Sequence, residues 1–239
     1  KLLAGHLDIH TGGVDHINVH HTNEIAQAEA ATGQTFFHYW LHNAFLNIAG
    51  GKKMAKSGAN FLTLQAAVID KGWLPLAYRY ACLEVHYRKP MEYSQAGLAA
   101  ADKALRWLYR EIATLGQVVG QVSPLFKEKF LEAINDDLNS PRALAVLFKV
   151  LNSQLSNKDK LATIKDFDEV LGLDLSGGSQ HYLEMLTNIP PEVQALFNKR
   201  QTARENHNFQ LADELRRQLA SAGYGVEDEP GGSRLVPLF

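Results

Sequence analysis

The 239 residues are enough to bury a sizeable core in two or three domains, and 46% apolar with 21% charged residues is the balance of an ordinary globular chain. A formal net charge of -2 excludes a strongly basic nucleic-acid binder that works by bulk electrostatics, but not RNA held by local patches and read by shape and unpaired bases. The single Cys82 excludes a disulfide framework and fits a reducing compartment; no stretch is apolar and long enough to span a membrane, and none reads as a signal peptide. The opening Lys1-Leu2-Leu3 runs straight into structured-looking sequence, so the expectation is a beginning inside a domain.

Residues 6–19 read as two short apolar-alternating pieces around a Gly12-Gly13 turn, as strand–turn–strand or strand–turn–helix. Glycine beside a strand end lets backbone approach a ligand, and Asp15 just after it is either a turn residue or an acceptor for ribose hydroxyls. The alanine-rich run to Thr32 predicts a helix stopped by Gly33. His20 and Glu24 stand four apart, so a helical turn puts them on one face, as a surface pair or as two metal ligands. Zinc needs four ligands, or three and an open position, and no cysteine lies nearby; His21 or His16 could extend the set.

Residues 35–48 are aromatic and β-branched enough for a buried strand, in which His38 and His42 face either a ligand or the core. That strand leads into Gly51-Lys52-Lys53-Met54-Ala55-Lys56-Ser57-Gly58, a glycine-bearing loop whose ammonium groups suit negative charge developing on a phosphate. A short helix from Phe61 to about Ile69 ends at Gly72, and from Trp73 to about Leu173 the pattern is helical. Ser94 opens a segment with Leu98, Ala101, Leu105, Leu108, Ile112 and Leu115 on one stripe. Ser123-Pro124 and Ser140-Pro141 mark two further helix starts in an antiparallel bundle. Gly172–Pro191, with Ser176-Gly177-Gly178-Ser179, reads as a linker. Two helices, Glu192–His207 and Phe209–Ala222, and a hairpin around Pro230-Gly231-Gly232 close the chain.

Three features stand in one order: Gly-Gly-x-Asp, His-His-x-Asn-Glu and Lys-Met-x-Lys-Ser. Asp8-Ile9-His10 with Gly12-Gly13-Val14-Asp15, His20 to Gln27, Trp40-Leu41-His42-Asn43 and Lys53 to Ser57 resemble motifs of the C-terminal half of bacterial cysteinyl-tRNA synthetases, class I enzymes. His86-Tyr87-Arg88, Tyr93-Ser94 and Asp136-Asp137-Leu138-Asn139-Ser140-Pro141 are similar too, so the resemblance runs through essentially the whole chain.

The resemblance implies an α/β remnant of a Rossmann-type class I catalytic domain over 1–65. A helical bundle over 66–175, a linker over 176–191 and a small α+β anticodon-binding-like module over 192–239 would follow. It implies ATP-dependent ligation of L-cysteine to tRNA(Cys) through a cysteinyl-adenylate, by a cytoplasmic monomer. Lys56, assisted by Lys53, would stabilise the leaving pyrophosphate of ATP with its Mg2+. Asp15 would hold the ribose and His10 would line the adenylate pocket. His20 and Glu24 would supply two of four ligands to Zn2+, the other two lying outside these residues. Arg204, Asp213 and Asp228 would read anticodon bases. Thr11 for glycine, Asn18-Val19 for Phe-Pro, Thr22 for an acidic residue and Ala55 for the first serine of KMSKS depart from the pattern, as do Gly58-Ala59 for Leu-Gly. The HIGH motif and the two zinc-binding cysteines of the family are not among these residues. That leaves as alternatives a non-catalytic tRNA-binding fragment or adaptor, and a paralogous cysteine ligase acting on an amino sugar.

Overall fold

A computed structural model describes residues 7–48, 52–53, 62–229 and 232–238. The chain falls into two compact units, Lys1–Asp102 with Lys129–Ala145, and Lys103–Glu128 with Val146–Phe239.

In the first unit, β1 (Leu7–Gly13) passes through a 3-10 turn, Val14–His16, and a π-helical turn, Ile17–His21, into α1 (Thr22–Thr32). Gly33 ends α1 in the left-handed conformation at φ 69°. The chain then returns as β2 (Phe37–Asn43), parallel to β1. Parallel strands require such a crossover, so strand–turn–helix is the form adopted.

The expected single buried strand over 35–48 is instead two. β2 ends at Asn43, and after Ala44-Phe45 the chain resumes as β3 (Leu46–Ile48). There it changes partners: the Ala44 N–H donates to the Tyr87 carbonyl at 2.8 Å and the Met91 N–H to that of Phe45 at 3.0 Å. β3 lies between antiparallel β4 (Lys52–Lys53) and a parallel strand at Met91–Tyr93. Of the β2 side chains Phe37 alone is buried and Tyr39 is 68% exposed, because among the described residues this sheet has just two strands.

The helix expected over 61–69 is short, α2 (Leu64–Ala67), followed by a 3-10 turn, Ile69–Lys71, and Gly72 at φ 71°. Val68 leaves helical geometry (φ -127°, ψ -61°) with its side chain fully buried, so packing wins over helix continuity. After α3 (Pro75–Leu83) and β5 (Met91–Tyr93), Ser94 caps α4 (Gln95–Ala113), its hydroxyl accepting from the Gly97 N–H at 3.0 Å. The expected stripe is buried at Leu98, Ala101, Leu105, Leu108 and Ile112.

α5 (Pro124–Asn135) and α6 (Ser140–Leu151) are joined by a tight turn with Asp137 and Leu138 both at φ 54°. Asn139 rather than Ser140 caps α6, its side-chain oxygen accepting from the Arg142 N–H. The Asp137 carboxylate accepts from Arg88 and from the Tyr87 hydroxyl, and these two bonds draw its pKa down to about 2. The motif resembling His-Tyr-Arg is thereby fastened to the one resembling Asp-Asp-x-Asn.

In the second unit, α7 (Asn157–Leu171) ends at Gly172 and is followed by α8 (Leu175–Thr187). The linker expected over 176–191 is therefore corrected: most of it is helix, with Leu175, Ser179 and Tyr182 buried along one side. Gly178 serves packing. A Cβ on Gly178 would fall 2.4 Å from the Tyr109 ring, whose hydroxyl donates to the Leu173 carbonyl at 2.8 Å. α9 (Pro191–Glu205), α10 (Phe209–Ser221) and the hairpin β6 (Tyr224–Glu229)–β7 (Gly232–Pro237) follow as expected. Val193, Leu219, Tyr224, Val226 and Leu235 form their core, and Glu227 of β6 is held by Arg110 at 2.9 Å. No helix among the described residues is long and apolar enough to cross a membrane.

Candidate functional site

Strand register sets the first site. β1 and β2 place His10 opposite Trp40 and Gly12 opposite His42. The π-helical turn then brings His20 and His21 back towards that strand pair, a distortion of helical geometry that recurs at functional sites. His21 is 3% exposed and its Nδ1 lies 2.8 Å from His42 Nε2. His10 stacks on Phe37 at 4.3 Å between ring centroids, 4.6 Å from the His21 ring. His16 stands 4.8 Å from His20 and 5.1 Å from His21.

Glu24 is the hinge of this cluster. Its Oε2 accepts a hydrogen bond from His10 Nε2 at 2.8 Å, and its Oε1 lies 3.3 Å from His20 Nε2. The His10 bond holds the carboxyl below its ordinary pKa, so the carboxylate stays ionised. Burial, with the nearby His10 and His42 rings, lowers the His21 pKa and keeps that imidazole neutral. Neutral imidazole and ionised carboxylate are the forms that bind metals. The donor atoms of His10, His21 and Glu24 lie within 4.8 Å of one another, a spacing that could hold an ion. Spacing alone pointed to His20 and Glu24; that His10 bonds the same carboxylate becomes visible when the crossover returns α1 to β1.

Gly12 makes room for the imidazoles. A Cβ there would fall 2.6 Å from His21 Cε1 and 2.8 Å from His16 Nδ1. Since His21 is buried and cannot swing aside, Gly12→Ala is expected to destabilise the first unit by about 1–3 kcal/mol, the usual cost of overpacking. Denaturant unfolding checks this; an unchanged midpoint would mean that the rings yield freely.

Asp15 lies exposed in the 3-10 turn, its carboxylate folded back over Gly13, where a Cβ would come 2.5 Å from Oδ1. Lys56 lies outside the described residues, and for Lys53 the backbone of β4 alone is described.

The second site is in the C-terminal module. Arg204 Nη1 donates to Asp228 Oδ1 at 2.6 Å, so two of the three expected base-reading residues touch. Asp213 stands exposed on α10 and is not among the groups bonded to Asp228. Two residues without a sequence signal join them: Ser233, opposite Asp228 in the hairpin register, and Arg200, whose charge gave every reason to place it at the surface.

Comparison with known proteins bears on both sites. Residues 1–103 match the model of the class I (C) tRNA synthetase catalytic domain, 129–176 that of the DALR domain, and 186–234 that of the cysteinyl-tRNA ligase anticodon binding domain. Cysteine–tRNA ligase 1 of Burkholderia lata is 41% identical over 238 residues, spanning 100% of this chain and 49% of the relative. The chain belongs to the cysteinyl-tRNA synthetase family. The cysteine–tRNA ligase of Chlamydia abortus is 38% identical over 256 residues, covering 98% of the chain and 52% of that enzyme. The chain thus spans about half the length of the curated synthetases it matches. In fold it resembles the LeuRS of an Agrobacterium radiobacter K84 LeuRS–tRNA–LeuAMS complex, with a TM-score of 0.56, 17% identity, and 73% of this chain and 27% of that one covered. The class I architecture therefore accounts for the parallel β1–β2 crossover, and the synthetase motifs at His10, Gly12-Gly13 and His20–Glu24 are the residues that meet there.

Proposed function

We propose that the chain contributes to ATP-dependent ligation of L-cysteine to tRNA(Cys) through a cysteinyl-adenylate, in the cytoplasm. The observation that carries the reading is Glu24, shared between His20 at 3.3 Å and His10 at 2.8 Å. Two ligand atoms each about 2.0–2.1 Å from a tetrahedral zinc lie about 3.3 Å apart, so the His20–Glu24 edge fits zinc without rearrangement. The second carboxylate oxygen is occupied by His10, the kind of outer bond that orients a metal-ligating group. Zinc there would supply a soft acceptor for a thiolate, which separates cysteine from serine far better than an apolar pocket can. Around it, His10 is assigned to the adenylate pocket, Asp15 to the ribose of ATP, and Lys56 with Lys53 to the pyrophosphate of Mg2+–ATP. Arg204, Asp213 and Asp228 are assigned to unpaired bases of the tRNA. The match of 186–234 to an anticodon-binding model supports tRNA as acceptor over an amino sugar.

The reading assigns the remaining zinc ligands and the HIGH motif to residues other than these 239. By themselves the 239 residues are therefore expected to give no cysteine-dependent ATP–pyrophosphate exchange while still binding a tRNA(Cys) transcript. Exchange above background by this chain alone would overturn the division of the site; failure to prefer tRNA(Cys) over an unrelated transcript would overturn the tRNA assignment.

A further inference from the structure

Arg200 is the most unusual charged group of the C-terminal module. Its side chain is 4% exposed, in the interior where α9 faces the β6–β7 hairpin. Nη1 donates to Asp228 Oδ1 at 3.1 Å, to Ser233 Oγ at 2.9 Å and to Gln201 Oε1 at 2.8 Å, while Nη2 reaches Asp228 Oδ2 at 3.3 Å. Its Nε is buried with no hydrogen-bond partner among the described residues. A buried guanidinium that leaves one N–H unsatisfied is a costly way to tie a helix to a hairpin. Its orientation is explained by what both terminal nitrogens do: they grip one carboxylate.

That carboxylate lines a cleft of about 290 Å³ together with Gln201, Arg204, Glu205, Gly232 and Ser233. Asp228 Oδ1 is saturated by Arg200, Arg204 and Ser233, the last at 2.5 Å. Oδ2 accepts the long Arg200 bond, and a carboxylate oxygen retains capacity for a second donor. The hydroxyl of Ser233 and the guanidinium of Arg200 hold the Asp228 carboxyl far below the usual carboxylate range, so it stays an acceptor. On the cleft wall Arg204 stands against Glu205 and Asp228, with Arg200 buried behind, a composition suited to reading hydrogen-bond donors rather than to gathering phosphates.

We propose that Arg200 is a positioning residue for nucleobase recognition: it fixes the Asp228 carboxylate so that Oδ2 meets a donor-bearing edge of an unpaired base in this cleft. The inference rests on the tRNA reading above and extends it to a residue that does not itself touch the RNA. Arg204 alone cannot replace it, since it holds Oδ1 from the exposed side and leaves the rotation of the carboxylate unconstrained.

The test uses the full-length protein with a tRNA(Cys) transcript and transcripts carrying single anticodon substitutions. Arg200→Met is expected to raise KM for tRNA(Cys) by about tenfold or more, the worth of one hydrogen bond to a charged group, with kcat nearly unchanged. It should also shrink the preference for the native anticodon, with cysteine-dependent pyrophosphate exchange unaltered. Arg200→Lys, which keeps the charge but loses the fork, should recover part of the KM and little of the base preference. Asp228→Asn combined with Arg200→Met should cost no more than either alone. If Arg200→Met lowers the melting temperature but leaves the base preference intact, Arg200 is a structural tie and the proposal is wrong. Should the melt forbid working with that variant, Arg200→Lys decides by the same preference ratio. A parent protein with no preference for the native anticodon would overturn the tRNA reading and this inference with it; a parent with full preference matched by both variants would overturn the inference alone.

Discussion

Lys56→Ala in the full-length protein is expected to lower cysteine-dependent ATP–pyrophosphate exchange by about 10²–10³-fold, the usual effect of removing one preorganised group from a developing charge. Adenylation transfers the α-phosphate of ATP to a carboxylate and releases pyrophosphate, so negative charge accumulates on the leaving group as the bond breaks. An ammonium that reaches it in the transition state lowers the barrier without tightening ground-state binding, so the loss should fall on kcat more than on the KM for ATP. Binding of tRNA(Cys), assigned to the C-terminal module, should not change. Lys53→Ala is expected to cost less, since its backbone is committed to β4 and its role is to assist. Ala55 removes the hydroxyl that the family's motif carries between these lysines, so Ala55→Ser should leave exchange the same or raise it. A Lys56→Ala protein exchanging at the parent rate would remove the lysine loop from the reaction.

The Gly12-Gly13 strand end and the contact of His20 with Glu24 are legible because each is a short-range pattern. Glycine at a strand end and two residues four apart on a helical turn declare themselves within a few positions. What escaped the sequence depends on partners far along the chain. Gly178 reads as linker until Tyr109 is seen lying against it, where a Cβ would meet the ring. The aromatic run over 35–48 reads as one buried strand, but it is split where the chain leaves β1 and Ala44 and Phe45 bond to Tyr87 and Met91. Arg200 reads as a surface charge, since a lone arginine in a polar helix carries no signal of burial. Its partners Asp228 and Ser233 arrive from the hairpin that closes the module. His10 shows the same limit from the other side: the motif placed it in the adenylate pocket, and the structure adds that it holds Glu24.

That added bond separates two roles that the motif alone would merge, and makes opposite demands on two substitutions. Glu24→Gln leaves size and hydrogen-bonding capacity nearly intact but removes the anionic oxygen facing His20 at 3.3 Å. In the full-length protein it is expected to abolish stoichiometric zinc after dialysis against a mild chelator. With the soft acceptor gone, activation of cysteine relative to serine should collapse by orders of magnitude towards the roughly 10²-fold or less that an apolar pocket can give. His10→Asn keeps both proposed ligands and removes the imidazole bonded to Glu24 Oε2 at 2.8 Å. Zinc should then remain at one equivalent but bind about 10–100-fold more weakly, the typical cost of losing an outer-shell bond, with the preference for cysteine largely kept. Metal content by mass spectrometry and exchange measured with each amino acid distinguish the two. If His10→Asn loses the metal outright while Glu24→Gln retains it, the ligand set is His10 and His21 rather than His20 and Glu24, since the donor atoms of His10 and His21 already lie close enough to share an ion. The buried, neutral His21 would in that case take the place that the exposed His20 holds in the present assignment.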